Sequence, residues 1–269
     1  MNDVQAPIPV VVRGASGRMG QAIIRLLGAR SDLALAAALV RAGSPATGQP
    51  AAPGSNVIAT AALDEAVEAR VLLDFSIAPA FDEGLTLAVE RRLAFVSGTT
   101  GLSAAQQAAL DEAARSIPVL WSANFSIGVA VLARLGAQAA TLLSEWDCEI
   151  IEVHHRNKKD APSGTALALG RAVAAARGID FGAVAQPARD GIADAPRDPA
   201  AIGFAAIRGG DIVGEHTVLF AGAGERLELH HAATDRDIFA HGALAAAVRI
   251  TRLSPGRYAF AELLGQGMA

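Results

Sequence analysis

Short apolar runs and longer amphipathic stretches alternate along the first half of the chain. Residues 8–13 (IPVVVR) are an apolar run, glycines follow at 14, 17 and 20, and QAIIRLLGAR then repeats apolar positions at helical spacing. That order predicts a strand, a glycine turn and a helix. Residues 33–40 (LALAAALV) form a second run and RAGSPATGQPAAPGSN reads as turn, so the first 40 residues predict a βαβ unit. The alternation continues with a strand at 71–74 ending in FSIAPA, a helix over 80–91 and a strand at 93–97 ending in GTTG. A helix over 103–115 with Ser103 as N-cap and a strand at 117–121 followed by SANFSIG complete the series. Apolar strands alternating with helices predict an α/β fold with a Rossmann-like, doubly wound parallel sheet.

The pattern changes after about residue 125. A long helix is expected over 127–144, a strand at 148–155 (CEIIEVHH) and a helix at 163–177. Residues 185–200 are rich in Pro, Asp and Ala and read as a long loop, either a lid or, as preferred here, an arm onto a neighbour. Strand-like runs follow at 202–208, 211–220 and 225–232, two of them partly alternating in polarity as antiparallel strands with one covered face do. A final helix is expected over 238–252. The second half therefore predicts an α+β region with a mixed open sheet.

Composition narrows the function. Of 269 residues, 52% are apolar and 19% charged, which excludes disorder over most of the chain. The formal net charge of −4, with no basic tract, and an aromatic content of 4% argue against nucleic-acid binding. Cys148 is the only cysteine, which excludes an intrachain disulfide and fits a reducing, cytoplasmic compartment. The first residues have no secretory-leader pattern and no apolar run is long enough for a membrane span. The expectation is a soluble, cytoplasmic α/β protein handling a small molecule.

Gly14-Ala15-Ser16-Gly17-Arg18-Met19-Gly20 lies between the first strand and first helix. Amides at such a helix start bind a pyrophosphate, and glycines let it approach. The end of the second strand reads Leu39-Val40-Arg41. A carboxylate there would bond the ribose of NAD, whereas an arginine pairs with the 2′-phosphate of NADP. One charge-assisted hydrogen bond is worth ~1.5–3 kcal/mol, so Arg41 predicts NADPH, with NADH possible but weaker. Three further loops stand at strand ends, where doubly wound sheets collect ligands: Phe75-Ser76, Gly98-Thr99-Thr100-Gly101 and Ser122-Ala123-Asn124-Phe125.

His154-His155-Arg156-Asn157-Lys158-Lys159-Asp160 ends a strand just before a helix opening at Ser163-Gly164-Thr165. Cations beside free helix amides suit a dicarboxylate. Histidine titrates near neutrality, and a lysine crowded by cations releases its proton more readily. Adjacent histidines on a strand point to opposite faces, so no metal site is expected at His154-His155 or His230-His231. His216 reads as a hydrogen-bonded strand residue and His241 as structural.

With these residues assembled, the chain resembles the 4-hydroxy-tetrahydrodipicolinate (dihydrodipicolinate) reductases of bacterial lysine biosynthesis. The resemblance rests on GASGRMG at 14–20, DFS at 74–76, GTTG at 98–101, ANFSIGV at 123–129, EVHHRNKKDAPSGTAL at 152–167 and GDIVGEHTVLF at 210–220. It implies NAD(P)H-dependent reduction of 4-hydroxy-tetrahydrodipicolinate with loss of water, in the diaminopimelate route to lysine. It implies a homotetramer whose subunits have a dinucleotide-binding domain, 1–125 completed by 241–269, and a substrate-binding and oligomerisation domain, 126–240. It assigns acid/base duty to His154, proton donation to Lys158, and substrate contacts to His155, Gly164 and Thr165. The cofactor positions it implies are Gly14, Ala15, Ser16, Gly17, Arg18, Met19, Arg41, Gly98, Thr99, Thr100, Ser122, Ala123, Asn124 and Phe125. The chain departs from the family at Val40, where many members carry an acid, at Asn157, often histidine, and at Arg13, usually small or apolar, which is placed near the cofactor phosphates. Two other readings fit the same architecture: a different NADPH-dependent dehydrogenase, and a non-catalytic nicotinamide-binding sensor.

Overall fold

The computed structural model describes residues 6–193 and 195–265. The first five residues, Asp194 and the last four, which the leader, loop and domain readings include, lie outside the described residues. By contacts the chain forms two compact units, one running to Ser126 and resuming at Asp237, the other spanning Ile127–Arg236.

The first unit holds a seven-stranded sheet. Its strands are β1 (Ile8–Arg13), β2 (Leu33–Leu39), β3 (Ala59–Thr60), β4 (Val71–Asp74), β5 (Ala94–Ser97), β6 (Pro118–Trp121) and β12 (Gly256–Tyr258). They lie in the order β12-β6-β5-β4-β1-β2-β3, and every pairing is parallel. This is the Rossmann arrangement, with the direction of winding reversing between β1 and β4. The helices are α1 (Arg18–Leu27), α2 (Phe81–Glu90), α3 (Ala104–Ala113), α7 (Asp237–Ile250) and α8 (Phe260–Gly265). α1 and α7 pack against one another, and α2 and α3 do likewise. The α2–α3 side is filled by Val11, Leu72, Phe81, Phe95, Leu110 and Val119, with the Phe81 and Phe95 rings edge to face at 5.8 Å. Each fully buried side chain of this size contributes roughly 1.5–3 kcal/mol. Ser103 caps α3 as expected, in a reciprocal box with Gln106.

The second unit contains α4 (Ile127–Leu142), β7 (Asp147–His154), α5 (Gly164–Ala176), α6 (Phe181–Val184), β8 (Ala185–Gln186), β9 (Ile202–Arg208), β10 (Gly214–Gly222) and β11 (Glu225–Ala233). Its mixed sheet runs β11-β10-β7-β9-β8. β7 pairs antiparallel with β10 and parallel with β9. α4 and α5 pack together, sharing a core with Ile150, Phe204, Val218 and Phe220. β7 alternates between half-buried and buried residues, so Cys148, Ile150, Glu152 and His154 all face this core.

Three expectations need correction. The helix near 238–252 is not the last element, because β12 and α8 follow it and β12 extends the parallel sheet beside β6. The stretch after β2 is not all turn, since Pro50 bridges Ile58 and β3 pairs with β2. The 185–200 segment begins with a two-residue edge strand paired to β9. Each of these pieces is too short to show a sequence period.

Candidate active site

The glycine turn follows β1 directly, with the amides of Gly14 and Ala15 donating to Leu39 O. Gly14 has φ +77°, and a side chain there would also meet the Phe75 carbonyl. Gly20 lies in α1 against the Gly14 carbonyl, again with no room for a Cβ. These two glycines are therefore required by packing as well as by any ligand. α1 has no side-chain cap and no acidic residue in its first turn, so nothing there competes with an anion. Ser16, Gly17 and Arg18 are exposed, Met19 is half-buried and Ala15 is buried. Arg41 is exposed immediately after buried Val40.

The other strand ends of this unit converge on Asp74. Its carboxylate is fully buried and accepts from Arg13 at 3.2 Å, Ser97 at 3.0 Å and Thr99 at 2.7 Å. Arg13 also donates to Ser76 Oγ and to Glu83. It is thus tied to side chains of the protein itself. Thr99 is similarly committed: its amide donates to Ser97 Oγ and its carbonyl accepts from Trp121 Nε1. Gly98 lies against the Phe75 ring, where a Cβ would collide, while Thr100 is exposed. Phe125 is a core residue between the rings of Phe75 and Phe260, at 5.4 and 5.1 Å. Ser122 Oγ donates to Asn124 O, and Asn124 Oδ1 accepts from the Ser126 amide, giving a tight local turn beside exposed Ala123.

The polar cluster of the second unit stands where β7 ends. His154 is buried, the half-buried His155 follows, and the Lys158 amide donates to His155 O in a turn. The Lys158 ammonium bonds both oxygens of Asp160 at 2.9 Å, so it faces a carboxylate rather than cations alone. That pairing holds Asp160 below the ordinary carboxylate value. Ser163 caps α5 by accepting from the Ala166 amide, and Gly164 is exposed with open space around its Cα. Thr165 is half-buried in the same first turn.

Glu152 and Arg208 complete this cluster and were not singled out from the sequence; Ser163 and His216 also belong to it, the latter as the hydrogen-bonded strand residue expected. Arg208 grips the Glu152 carboxylate with Nη1 at 2.7 Å and Nη2 at 2.6 Å. Burial opposes the charged form of Glu152, but hydrogen bonds from Arg208 and His154 outweigh it and keep its pKa low. His154 is pushed below the usual histidine value by burial, with the charges of Lys158 and Arg208 adding and Glu152 opposing. His216 Nε2 lies 3.1 Å from Ser163 Oγ, and its ring meets that of His154 edge to face at 5.1 Å. Burial, aided by His154, lowers its pKa to about 4. One sequence signal was available: Glu152 shares the apolar face of its strand with Ile150, and a carboxylate there needs a partner.

A parallel sheet in Rossmann order with an uncapped glycine-turn helix, and a separate mixed sheet ending in a carboxylate–imidazole–ammonium cluster, define a nicotinamide-dependent oxidoreductase. Residues 8–125 match the family model described as dihydrodipicolinate reductase, N-terminus, and residues 128–264 match dihydrodipicolinate reductase, C-terminus. A 4-hydroxy-tetrahydrodipicolinate reductase of Stenotrophomonas maltophilia (strain K279a) is 46% identical over 260 residues, covering 97% of this chain and 99% of that one. One from Cereibacter sphaeroides (strain KD131 / KCTC 12085) is 45% identical over 263 residues, covering 95% and 97%. The dipicolinate-bound dihydrodipicolinate reductase from Paenisporosarcina sp. TG-14 shares the fold with a TM-score of 0.75 at 22% identity, over 94% of this chain and 97% of that one. The chain belongs to the dihydrodipicolinate reductase family.

Proposed function

We propose that this chain reduces 4-hydroxy-tetrahydrodipicolinate to tetrahydrodipicolinate, releasing water, with NADPH favoured over NADH. The observation that carries this reading is the cluster at the end of β7, where His154 and Lys158 stand just before the start of α5. It gives an acid/base pair and an anion-binding helix start in one unit, as reduction of a ring with two carboxylates requires.

The first unit is the dinucleotide-binding domain and the second the substrate domain. The uncapped start of α1, with no acid in its first turn, fits a pyrophosphate. Residues 14–19 would hold that group, and Arg41 would pair with a 2′-phosphate. Gly98, Thr100 and Ser122 to Asn124 are the remaining cofactor positions, with Thr99 and Phe125 supporting them from within. The bound nicotinamide supplies a hydride. The protein's own residues do the rest. The amides of Gly164 and Thr165, with His155, hold the substrate carboxylates and fix the ring, an orientation effect. Lys158 donates a proton, and His154 takes one up.

A homotetramer accords with the mixed sheet. α4 and α5 cover one face, while Ile207 on the other is 52% exposed beside half-buried Ile151 and Val153. Among the described residues no helix is long and apolar enough to cross a membrane, and a cytoplasmic location accords with the biosynthetic role.

The test is a spectrophotometric assay with substrate made in place from pyruvate and aspartate semialdehyde by the preceding synthase. Substrate-dependent NADPH oxidation, roughly tenfold more efficient than NADH oxidation, is expected from one charge-assisted contact at Arg41. Equal use of both would discard the NADPH preference. No oxidation by protein shown to bind cofactor would overturn the reductase reading.

A further inference from the structure

Glu152 is held on every side within the second unit. Its residue is fully buried, and each carboxylate oxygen meets two donors. Oε1 accepts from Arg208 Nη2 at 2.6 Å and from the Ser163 amide at 3.0 Å. Oε2 accepts from Arg208 Nη1 at 2.7 Å and lies 2.5 Å from His154 Nδ1. The guanidinium is itself fixed, since Arg208 stands opposite His154 in the β7–β9 register and also donates to the carbonyls of Ile207 and Asp160.

The hydrogen count then decides the tautomer. A carboxylate gripped in a bidentate arginine fork is ionised and only accepts. The proton between Oε2 and Nδ1 must therefore belong to the histidine. A neutral imidazole with hydrogen on Nδ1 has a lone pair on Nε2. That nitrogen lies against Gly214, where a Cβ would stand 2.9 Å from it, so the missing side chain leaves Nε2 uncovered on that side.

We infer that Glu152 is a positioning residue: clamped by Arg208, it fixes His154 as the Nδ1–H tautomer and presents Nε2 as the proton acceptor, while its other oxygen anchors the start of α5. This deepens, and rests on, the reading of His154 as an acid/base group. Nδ1 keeps its proton throughout the cycle. Nε2 takes one proton and returns one, and the transient imidazolium is stabilised by the carboxylate beside it. Donor and acceptor duties are thereby divided between Lys158 and His154. The same carboxylate couples the acceptor nitrogen to the helix start that holds the substrate, so the two keep a fixed spacing.

The first test needs no variant. Long-range proton–nitrogen NMR of the uniformly labelled protein, above neutral pH, reads both ring nitrogens of His154, assigned against His154→Gln. Hydrogen on Nδ1 and a bare Nε2 are expected, and a predominant Nε2–H form overturns the inference. The second test is Glu152→Gln, whose amide cannot impose the same tautomer. The expected result is a kcat lower by roughly a hundredfold, in the range of general acid–base effects, with NADPH affinity and substrate KM within about threefold of the parent. Glu152→Asp should recover part of that loss. Unchanged kcat in folded Glu152→Gln overturns the inference while leaving the reductase reading intact. A parent enzyme without turnover would instead strike the proposed function, and the NMR spectrum would still report the tautomer.

Discussion

Arg13 meets Asp74 at 3.2 Å and joins the carboxyl ends of β1 and β4, the two strands between which the parallel sheet reverses its winding. Both side chains are withdrawn from solvent, with 11% and 0% exposed. The pair therefore braces the place where a Rossmann sheet opens to its ligand. Because Asp74 also receives Ser97 and Thr99, it sets the loop at 98–101 as well.

Breaking this pair from one side leaves a buried charge. Arg13→Met should destabilise the protein by about 3–5 kcal/mol, the usual consequence of removing one partner from a buried pair. At about 2–4 °C per kcal/mol for a chain of this size, the melting temperature should fall by roughly 10 °C. Calorimetry checks it, and a fall of only a degree or two would show Ser97 and Thr99 to be sufficient partners.

Gly98 and Gly242 offer a comparison between a yielding and an unyielding neighbour. A Cβ at Gly98 strikes the Phe75 ring, whereas one at Gly242 strikes the Phe125 carbonyl. A ring can swing, but a backbone carbonyl moves only with its chain. Gly242→Ala should cost about 3 kcal/mol and Gly98→Ala about 1 kcal/mol, within the range for overpacking. Urea titrations of both variants would reveal the order, and equal losses would contradict it.

His216 gives stability a pH dependence of definite sign. Its pKa falls from an ordinary 6.5 to about 4 on folding, through burial first and the neighbouring His154 second. Between those values the unfolded chain binds the extra proton, so stability rises with pH across the window and is lost on acidification. The shift corresponds to about 3 kcal/mol at most. His154, also lowered, acts in the same direction, and Glu152 adds its loss only below the ordinary carboxylate value. Melting curves at stepped pH should flatten over this window in His216→Gln, and a parallel-shifted curve would refute the assignment.

Lys158→Ala separates chemistry from cofactor binding. If Lys158 is the proton donor proposed above, its removal should lower kcat by roughly a hundred- to ten-thousandfold. NADPH affinity, measured by fluorescence, should stay within about twofold, because the lysine belongs to the second unit and the cofactor positions to the first. Equal loss of both would show that Lys158 serves the cofactor.

The elements that were legible in the sequence are those with enough length to show a period. Val10 to Val12 sit in an apolar run closed by Gly14, and the cap at Ser103 is a local signal spanning Ser103 to Gln106. HHRNKK could be placed at a strand end because CEIIEVHH carries strand-forming residues just before a helix start, although its side-to-side alternation appears only in the burial of the folded strand. The partners of those residues were not legible. Arg13 finds Asp74 61 residues away, and Arg208 finds Glu152 56 residues away, through registers that periodicity cannot set. The acidic partner of Lys158 was in plain view two residues on, but only the turn decides that the two side chains meet.

The second unit interrupts the first, and that order of chain has a cost during synthesis. β6 is made before the interruption, whereas its outer neighbour β12 and the covering helix α7 come after it. The roughly 110 intervening residues take on the order of 5–20 s to translate at about 5–20 residues per second. Throughout that interval the nascent Rossmann sheet carries an open strand edge at β6, a ready template for pairing with another chain. The inserted unit has no such wait, since all its strands are contiguous in the chain, so it can close while the sheet that precedes it is still incomplete.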